Sequence, residues 1–555
     1  MKKVRNLLLL LLTVMYSNFV LADSWDGVSS DVSWFNENID VYKIRNAAQL
    51  KGFSDLVKGG NSFEGKTIYL MNDIDLGIGH VWKPIGANDE TEVSFMGTFD
   101  GQNHSVSNVN PTTDKENKTS DWYLGLFGRV GDMSVIRNLH VFTKITITNE
   151  SRKSTMIKAG GIAGRSDGVI EHSEANVLIE TEGSYGCYVY AGGICGMGNI
   201  LRKVKSTGDI DFTKSSDLMH LANYSYIGGI AGCAERIDVA YTDCNLLLYG
   251  QYSIGIGGIA GRIQTMNDSN LGKGIVSNTL FEGNLVVSKV LTPPNVPFVG
   301  GIVGHISCDK EFESVCNIVS PKYINYEYSA GWLGPLFGVI ESCNRNIVNN
   351  YYSCLVENNY SSYGQYVDEE SLKNKDLLSD FDDKIWSFAD GKLPSLKDLD
   401  RKYYVYVPLE YGKIAYSVNE GAALNLKILA DEGYSVNKVY YGDEDITNYL
   451  QGEELVIDNI ISDGDLKFVF IKDSETSIYL ADANKPNLVI EGKSIYFKGL
   501  SGNERVLIYN LEGKLVESYL NNMISGHILV SGTYIVKVGK YIGCPVLCSN
   551  INSLV

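Results

Sequence analysis

A five-residue phrase that keeps returning constrains the fold of this chain more than any other feature. It reads Gly160-Gly161-Ile162-Ala163-Gly164, Gly192-Gly193-Ile194-Cys195-Gly196, Gly228-Gly229-Ile230-Ala231-Gly232, Gly257-Gly258-Ile259-Ala260-Gly261 and Gly300-Gly301-Ile302-Val303-Gly304. Diverged copies flank the set, Leu124-Gly125-Leu126-Phe127-Gly128 before it and Leu333-Gly334-Pro335-Leu336-Phe337-Gly338 after it. The central apolar residues, at 126, 162, 194, 230, 259, 302 and 336, are separated by steps of 36, 32, 36, 29, 43 and 34. Repetition at roughly 20–50 residues signals a solenoid or a propeller, whose units bury their apolar faces against one another.

The chemistry of the phrase favours a stacked β-solenoid. Side chains alternate along a strand, so the central Ile is expected to point inward and to stack on the Ile of the next turn. The glycines are expected to supply positive φ at tight corners and to leave no Cβ where turns pack closely. Unequal spacing is absorbed by loops on the flank. A propeller blade needs four strands per unit and its own signature, and none is present.

The phrases resemble the GLUG motif of bacterial surface proteins. A lead-in common to that family is matched by Phe63-Glu64-Gly65-Lys66-Thr67-Ile68-Tyr69-Leu70, Asp73-Ile74-Asp75-Leu76, Trp82-Lys83-Pro84-Ile85-Gly86 and Gly97-Thr98-Phe99-Asp100-Gly101-Gln102-Asn103-His104. The likeness covers roughly residues 40–400. It implies an all-β protein built on a right-handed parallel β-helix, with a cell-surface role that often involves no catalysis.

Composition narrows the function. The chain has 555 residues, of which 48 are basic and 66 acidic, for a net charge of −18. No basic patch is present, which disfavours nucleic acid and anionic membranes as partners and makes a neutral glycan or a protein a better ligand than a polyanion. Met1-Lys2-Lys3-Val4-Arg5, an apolar run from Leu7 to Val14 and the small-residue site Val20-Leu21-Ala22 form a secretory signal peptide over residues 1–22. No later stretch is apolar for long enough to span a membrane as a helix. The expected location is therefore secreted or on the surface of a Gram-negative bacterium.

Ten cysteines, at 187, 195, 233, 244, 308, 316, 343, 354, 544 and 548, show no C-x-x-C spacing and no histidine at ligand distance, which argues against a metal site. Free thiols buried in a β-helix are the expected reading, with Cys544 and Cys548 near enough to bridge. Gly255-Ile256-Gly257-Gly258-Ile259-Ala260 matches a dinucleotide fingerprint formally, but no helical pattern comes after it, so no cofactor is expected. The seven histidines, at 80, 104, 140, 172, 220, 305 and 527, are scattered and read as satisfied surface or loop residues. Acids such as Asp243 and Glu282 sit at separate turns with no clustered set. Asp73 and Asp75 read as turn or strand-edge ligands to backbone N–H groups. No catalytic residue is assigned. The residues singled out are structural: Gly161, Ile162, Gly164, Gly193, Ile194, Gly196, Gly229, Ile230, Gly232, Gly258, Ile259, Gly261, Gly301, Ile302 and Gly304.

Several segments succeed one another along the chain. Residues 23–64 form a lead-in with a capping helix, in which Ile44, Ala47, Leu50, Phe53, Leu56 and Val57 fall at helical spacing around the N-cap candidate Asn46, with Gly59-Gly60 as the stop. Residues 65–399 form the β-helix, ending in a second helical stretch over 368–388 that carries Leu372, Leu377, Leu378, Phe381, Ile385 and Trp386. Residues 400–474 read as short strands and resemble the small immunoglobulin- or β-grasp-like modules that space bacterial surface proteins. Residues 487–555, with Ile495-Tyr496-Phe497, Val506 to Asn510, Glu512 to Val516 and Ser531 to Val538, resemble the C-terminal sorting domain of type IX secretion. Their end departs from that pattern, with Cys544-Pro545-Val546-Leu547-Cys548 in place of a basic-apolar finish. The resemblance implies secretion machinery as a partner. Two functions stand: a non-catalytic binding or adhesion protein for glycans or proteins, and a carbohydrate-active β-helix enzyme.

Overall fold

The computed structural model describes residues 25–86, 93–113, 121–148, 156–181, 188–213, 225–249, 254–265, 272–288, 297–321, 323–326, 332–354 and 363–389, and strands and turns in the segments between 391 and 548. Residues 1–24, on which the expected signal peptide falls, and most loops between repeats lie outside the described residues.

The amino-terminal cap forms as its residues dictate. Asn46, in an extended conformation, accepts a hydrogen bond from the Gln49 N–H at 3.0 Å and opens helix α1, Ala47–Lys58. Gly59 ends it. Leu50, Phe53 and Val57 are buried. Phe53 meets Phe63, Phe95 and Phe99 at centroid distances of 5.0, 5.4 and 6.0 Å, so the helix closes the open end of the apolar interior. Ile44 departs from the expectation. It ends the strand Val41–Ile44, whose pairing with Thr67–Leu70 begins the parallel stack.

From this cap the chain winds into a parallel β-solenoid of about 7 turns. Each turn has three faces. The first is a seven-stranded sheet formed by Trp122–Leu124, Met156–Gly160, Tyr188–Gly192, Tyr226–Gly228, Gly255–Gly257, Phe298–Gly300 and Trp332–Gly334. The second and third share a nineteen-stranded sheet, because strands such as Ala163–Thr181 fold over a corner without breaking their ladder. Leu124, Ala159, Ala191, Ile227, Ile256, Val299 and Leu333 form one register column inside the first face, all buried.

The phrase sits between the first and second faces, and there its role differs from the expectation. Ile162 and its equivalents are not in mid-strand. They occupy a two-residue bend, between Gly160 and Ala163 in the first full copy, and are fully buried there. Their backbones carry the ladder through the bend: Ile162 N–H donates to Ile194 O at 3.0 Å, Ile194 to Ile230 at 2.9 Å, Ile230 to Ile259 at 2.9 Å, Ile259 to Ile302 at 3.0 Å and Ile302 to Leu336 at 2.8 Å. The glycines of the five copies do not adopt positive φ. They are required by close approach. A Cβ on Gly193 would lie 2.4 Å from Ser206 Cβ and one on Gly229 would lie 2.3 Å from Gly258 O, so the bend presses directly on the third face and the next turn. Ser206 uses that proximity to donate to Gly229 O at 2.6 Å. A Cβ on Gly164 would meet Leu124 N at 2.7 Å, and Gly196, Gly232, Gly261 and Gly304 are equally confined.

Positive φ is found instead at the second corner. Asn138, His172, Lys203, Val239, Asn278, Cys316 and Asn349 come directly after successive register partners and take φ between 46 and 56°. A β-branched residue such as Val239 is strained in this region and holds it only because the stacked neighbours impose it. The interior behind this corner is polar in the last turns. Asn317 Oδ1 accepts from the Thr279 N–H at 2.9 Å, and Asn317 Nδ2 donates to Asn350 Oδ1 at 2.7 Å, satisfying buried amides across three turns.

One outer column alternates in charge. Asp100, Arg137, Glu171, Arg202 and Asp238 are consecutive register partners. Arg137 Nε lies 2.8 Å from Asp100 Oδ2, and Arg202 lies 2.5 Å from Glu171 Oε2. Ser277 ends the run by donating to Asp238 Oδ1 at 2.7 Å.

The stretch 368–388 is not a single helix. It contains the short helix Glu369–Leu372 and the 3-10 turn Lys375–Leu378, then turns and the two-stranded hairpin of Trp386–Ser387 and Ser395–Leu396. Asp368, Asn374 and Asp382 each accept from a nearby backbone N–H through their side chains, and this competes with helix continuation. The apolar set is buried all the same. Leu372, Leu378, Phe381 and Trp386 pack on Val239, Tyr241, Leu280, Ile318 and Tyr351 of the solenoid, with Trp386 Nε1 donating to Asn278 Oδ1 at 3.2 Å.

Beyond it, strands Lys402–Leu409, Gly412–Asn419, Tyr434–Tyr441, Glu444–Asp445 and Gly464–Lys472 form one sheet, and Leu424–Lys427, Leu450–Gln451 and Glu454–Ile457 a second, antiparallel one. A four-stranded antiparallel sheet of Arg505–Tyr509, Leu515–Leu520, Gly532–Val538 and Tyr541–Cys548 and a hairpin of Asn487–Glu491 with Ser494–Lys498 complete the chain. The chain divides into two compact units, and Val436–Val469 belongs with the solenoid rather than with the carboxy-terminal strands.

Candidate functional site

The bend at the phrase brings the outward side chains of the first and second faces together along the solenoid. Tyr123, Lys158, Tyr190, Tyr226, Gly255, Phe298 and Trp332 form the outward column of the first face. Arg129, Arg165, Met197, Cys233, Arg262 and His305 form the facing column of the second. The last glycine of each phrase permits this furrow, because any side chain there would strike the first-face backbone.

Rings and cations interleave in it. Tyr190 and Tyr226 are 5.5 Å apart, Tyr226 and His305 stack at 5.9 Å, and Phe298 meets His305 at 5.0 Å. The Arg129 guanidinium lies 5.2 Å from the Tyr123 centroid, Lys158 Nζ 4.6 Å from the same ring, and the Arg262 guanidinium 5.0 Å from that of Tyr226. Lys158 is buried and pairs with Asp121 at 2.9 Å. Tyr226 is buried and Trp332 is 50% exposed, while Tyr123, Tyr190 and Phe298 are half-buried.

His305 is the main departure from the expectation of a surface or loop histidine. It is buried, with Nε2 2.9 Å from Glu341 Oε1 and Nδ1 3.4 Å from the Tyr226 hydroxyl. Burial, and then the nearby Arg262 charge, hold its imidazole below the usual histidine range, so it is neutral at neutral pH. Burial works against ionisation of Glu341, but hydrogen bonds from Ser307 and His305 outweigh it and hold the carboxyl low. Burial pushes the Tyr226 phenol up, which removes it as a base at physiological pH.

A second cluster lies on the third face. Asp243 and Glu282, unclustered in the sequence, meet at one phenol: the Tyr241 hydroxyl is 3.0 Å from Glu282 Oε2 and 3.3 Å from Asp243 Oδ2. Lys205 Nζ lies 5.6 Å from the Tyr241 ring centroid, and Lys205, Tyr241 and Glu282 are all buried. The network satisfies its own members, and Asp243, half-buried, is its most accessible carboxylate.

Other residues singled out by their sequence context take structural places. Asp75 accepts from the Gly77 N–H at 2.9 Å and Asp73 from the Ser105 N–H at 2.8 Å, the backbone role expected of them. Cys195, Cys233, Cys244, Cys308 and Cys316 are free and buried, and Cys343 and Cys354 are free and half-buried. Burial pushes the Cys195, Cys233 and Cys244 thiols up to about 12. Cys187 and the side chains of Cys544 and Cys548 lie outside the described residues. The dinucleotide-like phrase leads into a strand, Ala260–Gln264, not a helix. Among the described residues no helix is long and apolar enough to cross a membrane, and no group of side chains is arranged to hold a metal ion. No protein family, curated protein or solved structure matches the chain.

Proposed function

We propose that this chain is a secreted or surface-displayed, non-catalytic binding protein that contacts glycans or proteins along its solenoid. The observation that carries the reading is the furrow, in which the half-buried Tyr123, Tyr190 and Phe298 and the exposed Trp332 lie in one column beside Arg129, Arg165 and Arg262. Sugar rings and protein side chains both stack on such surfaces, and weak contacts repeated along one face gain strength through avidity. The resemblance to GLUG-motif surface proteins supports it, and the likeness of residues 487–555 to sorting domains supplies a route to the surface by type IX secretion. The mature chain would be tested on arrays of plant and mucin glycans and host matrix proteins. Retention lost on replacing Tyr190 and Phe298 by Ala supports the reading, and retention unchanged by both removes the furrow from it. Deleting residues 487–555 is expected to trap the protein in the periplasm, and normal display of the truncated chain discards the sorting role.

A second reading, a carbohydrate-active enzyme, is favoured by one observation, the convergence of Asp243, Glu282, Tyr241 and Lys205. Release of reducing or unsaturated ends from a polysaccharide, abolished by Glu282→Gln, would promote it above binding.

A further inference from the structure

Arg262 stands apart from the other cations of the furrow. Lys158 and Arg165 are paired with Asp121 and Asp167. Arg262 has no ion-pair or hydrogen-bond partner among the described residues, and its Nε is buried without one. Glu341, whose field reaches it, is already engaged by His305 and Ser307. The rung that carries Arg262 contributes Gly255 to the aromatic column, so the ring series has a gap there, partly overlain by Tyr226. The buried Nε lies beyond the reach of an outside acceptor, which would meet the terminal Nη groups of this half-buried guanidinium. Its planar fork matches a carboxylate in two parallel hydrogen bonds.

We propose that Arg262 reads the carboxylate of an acidic sugar residue in a glycan lying along the furrow, while Tyr190 and Phe298 stack on neighbouring sugar rings. The proposal rests on the binding reading and names the ligand class for it. Tyr190 lies two rungs before Arg262 and Phe298 one rung after, at about 10 and about 5 Å along the axis for rungs ~4.8 Å apart, distances matched to consecutive pyranose units. The net charge of −18 opposes a dense polyanion at long range, but it is screened beyond about 8 Å and leaves single carboxylates to the local guanidinium.

The test uses the mature full-length chain and calorimetric titration with a short oligogalacturonide and its carboxyl-reduced, neutral counterpart. The parent is expected to bind the acidic form about tenfold more tightly, a difference of about 1.4 kcal/mol. Arg262→Met is expected to erase that preference, and Arg262→Lys to retain part of it. Thermal melts accompany each variant, and if Arg262→Met does not fold, Arg262→Lys decides. Equal binding of both forms by the parent overturns this inference and leaves the glycan reading standing. Binding of neither overturns this inference, and the arrays then decide the binding reading. Equal loss on both forms in Arg262→Met makes the residue structural and overturns the proposal.

Discussion

Ile230 and Ile259 are joined through their backbones across one turn of the solenoid, the N–H of the first donating to the carbonyl of the second at 2.9 Å, while both side chains are fully buried. Ile230 O accepts in turn from Ile194, so this residue is held from both sides at the bend. An acidic side chain there would bury an unpaired charge. Ile230→Asp is expected to destabilise by several kcal/mol, and Ile230→Val by only about 1 kcal/mol. Denaturant unfolding checks both, and an Asp variant as stable as the parent would refute the inward assignment.

Gly229 and Gly60 separate two reasons for glycine. Gly229 has ordinary φ and a Cβ position 2.3 Å from Gly258 O, whereas Gly60 has φ 103° and nothing within 4 Å. Gly60→Ala is expected to cost about 1–2 kcal/mol through conformation alone. Gly229→Ala is expected to cost as much or more, because backbone must move to admit the methyl group. A Gly229→Ala chain that melts with the parent would return the phrase to a conformational explanation.

Much of this architecture is legible in the sequence, for a physical reason. The bend needs a small residue wherever it presses on the third face, and only glycine meets that need, so the phrase survives in five copies. The second corner needs only a backbone conformation, which stacked neighbours can impose on Asn138, His172, Lys203, Val239 or Cys316 alike. Asn, which favours this conformation, holds it at 138, 278 and 349, but four unlike residues hold it elsewhere, so no single residue type marks the corner along the sequence. The furrow is hidden for another reason: Tyr226, Arg262 and His305 meet only once the register between turns is known. The apolar spacing at 368–388 identifies the buried face correctly and the helix wrongly, since packing on a flat sheet constrains burial and not the backbone path between Asp368 and Trp386.

The buried thiols predict a pH response. Cys195, Cys233 and Cys244 hold their protons to about 12 when folded and ionise near 9 when unfolded. Above that unfolded value the unfolded chain loses thiol protons that the native chain keeps, which favours unfolding, so stability falls as pH rises from about 9 towards about 12. Replacing all three by Ala is expected to flatten the decline in melting temperature between about pH 8.5 and about pH 10.5. Thiol-reactive dye is expected to label these positions only after denaturation.

The outer charge column predicts a salt-dependent cost. Arg202→Glu would set three carboxylates on adjacent rungs with Glu171 and Asp238. Arg202 is 55% exposed at its side chain, so the loss is expected to be about 0.5–1 kcal/mol at low ionic strength and smaller in about 1 M salt. Melts at two salt concentrations check it, and a loss that ignores salt would assign the effect to packing.

That same column gives the array a parity. Because sign alternates from Asp100 to Asp238, excising one turn from the middle would seat like beside like, whereas excising two would restore the sequence of opposites. Within this stretch the solenoid can therefore lengthen or shorten at least electrostatic cost in pairs of turns, and a lineage that duplicated a single repeat would carry a mismatched seam until one of the two charges was replaced.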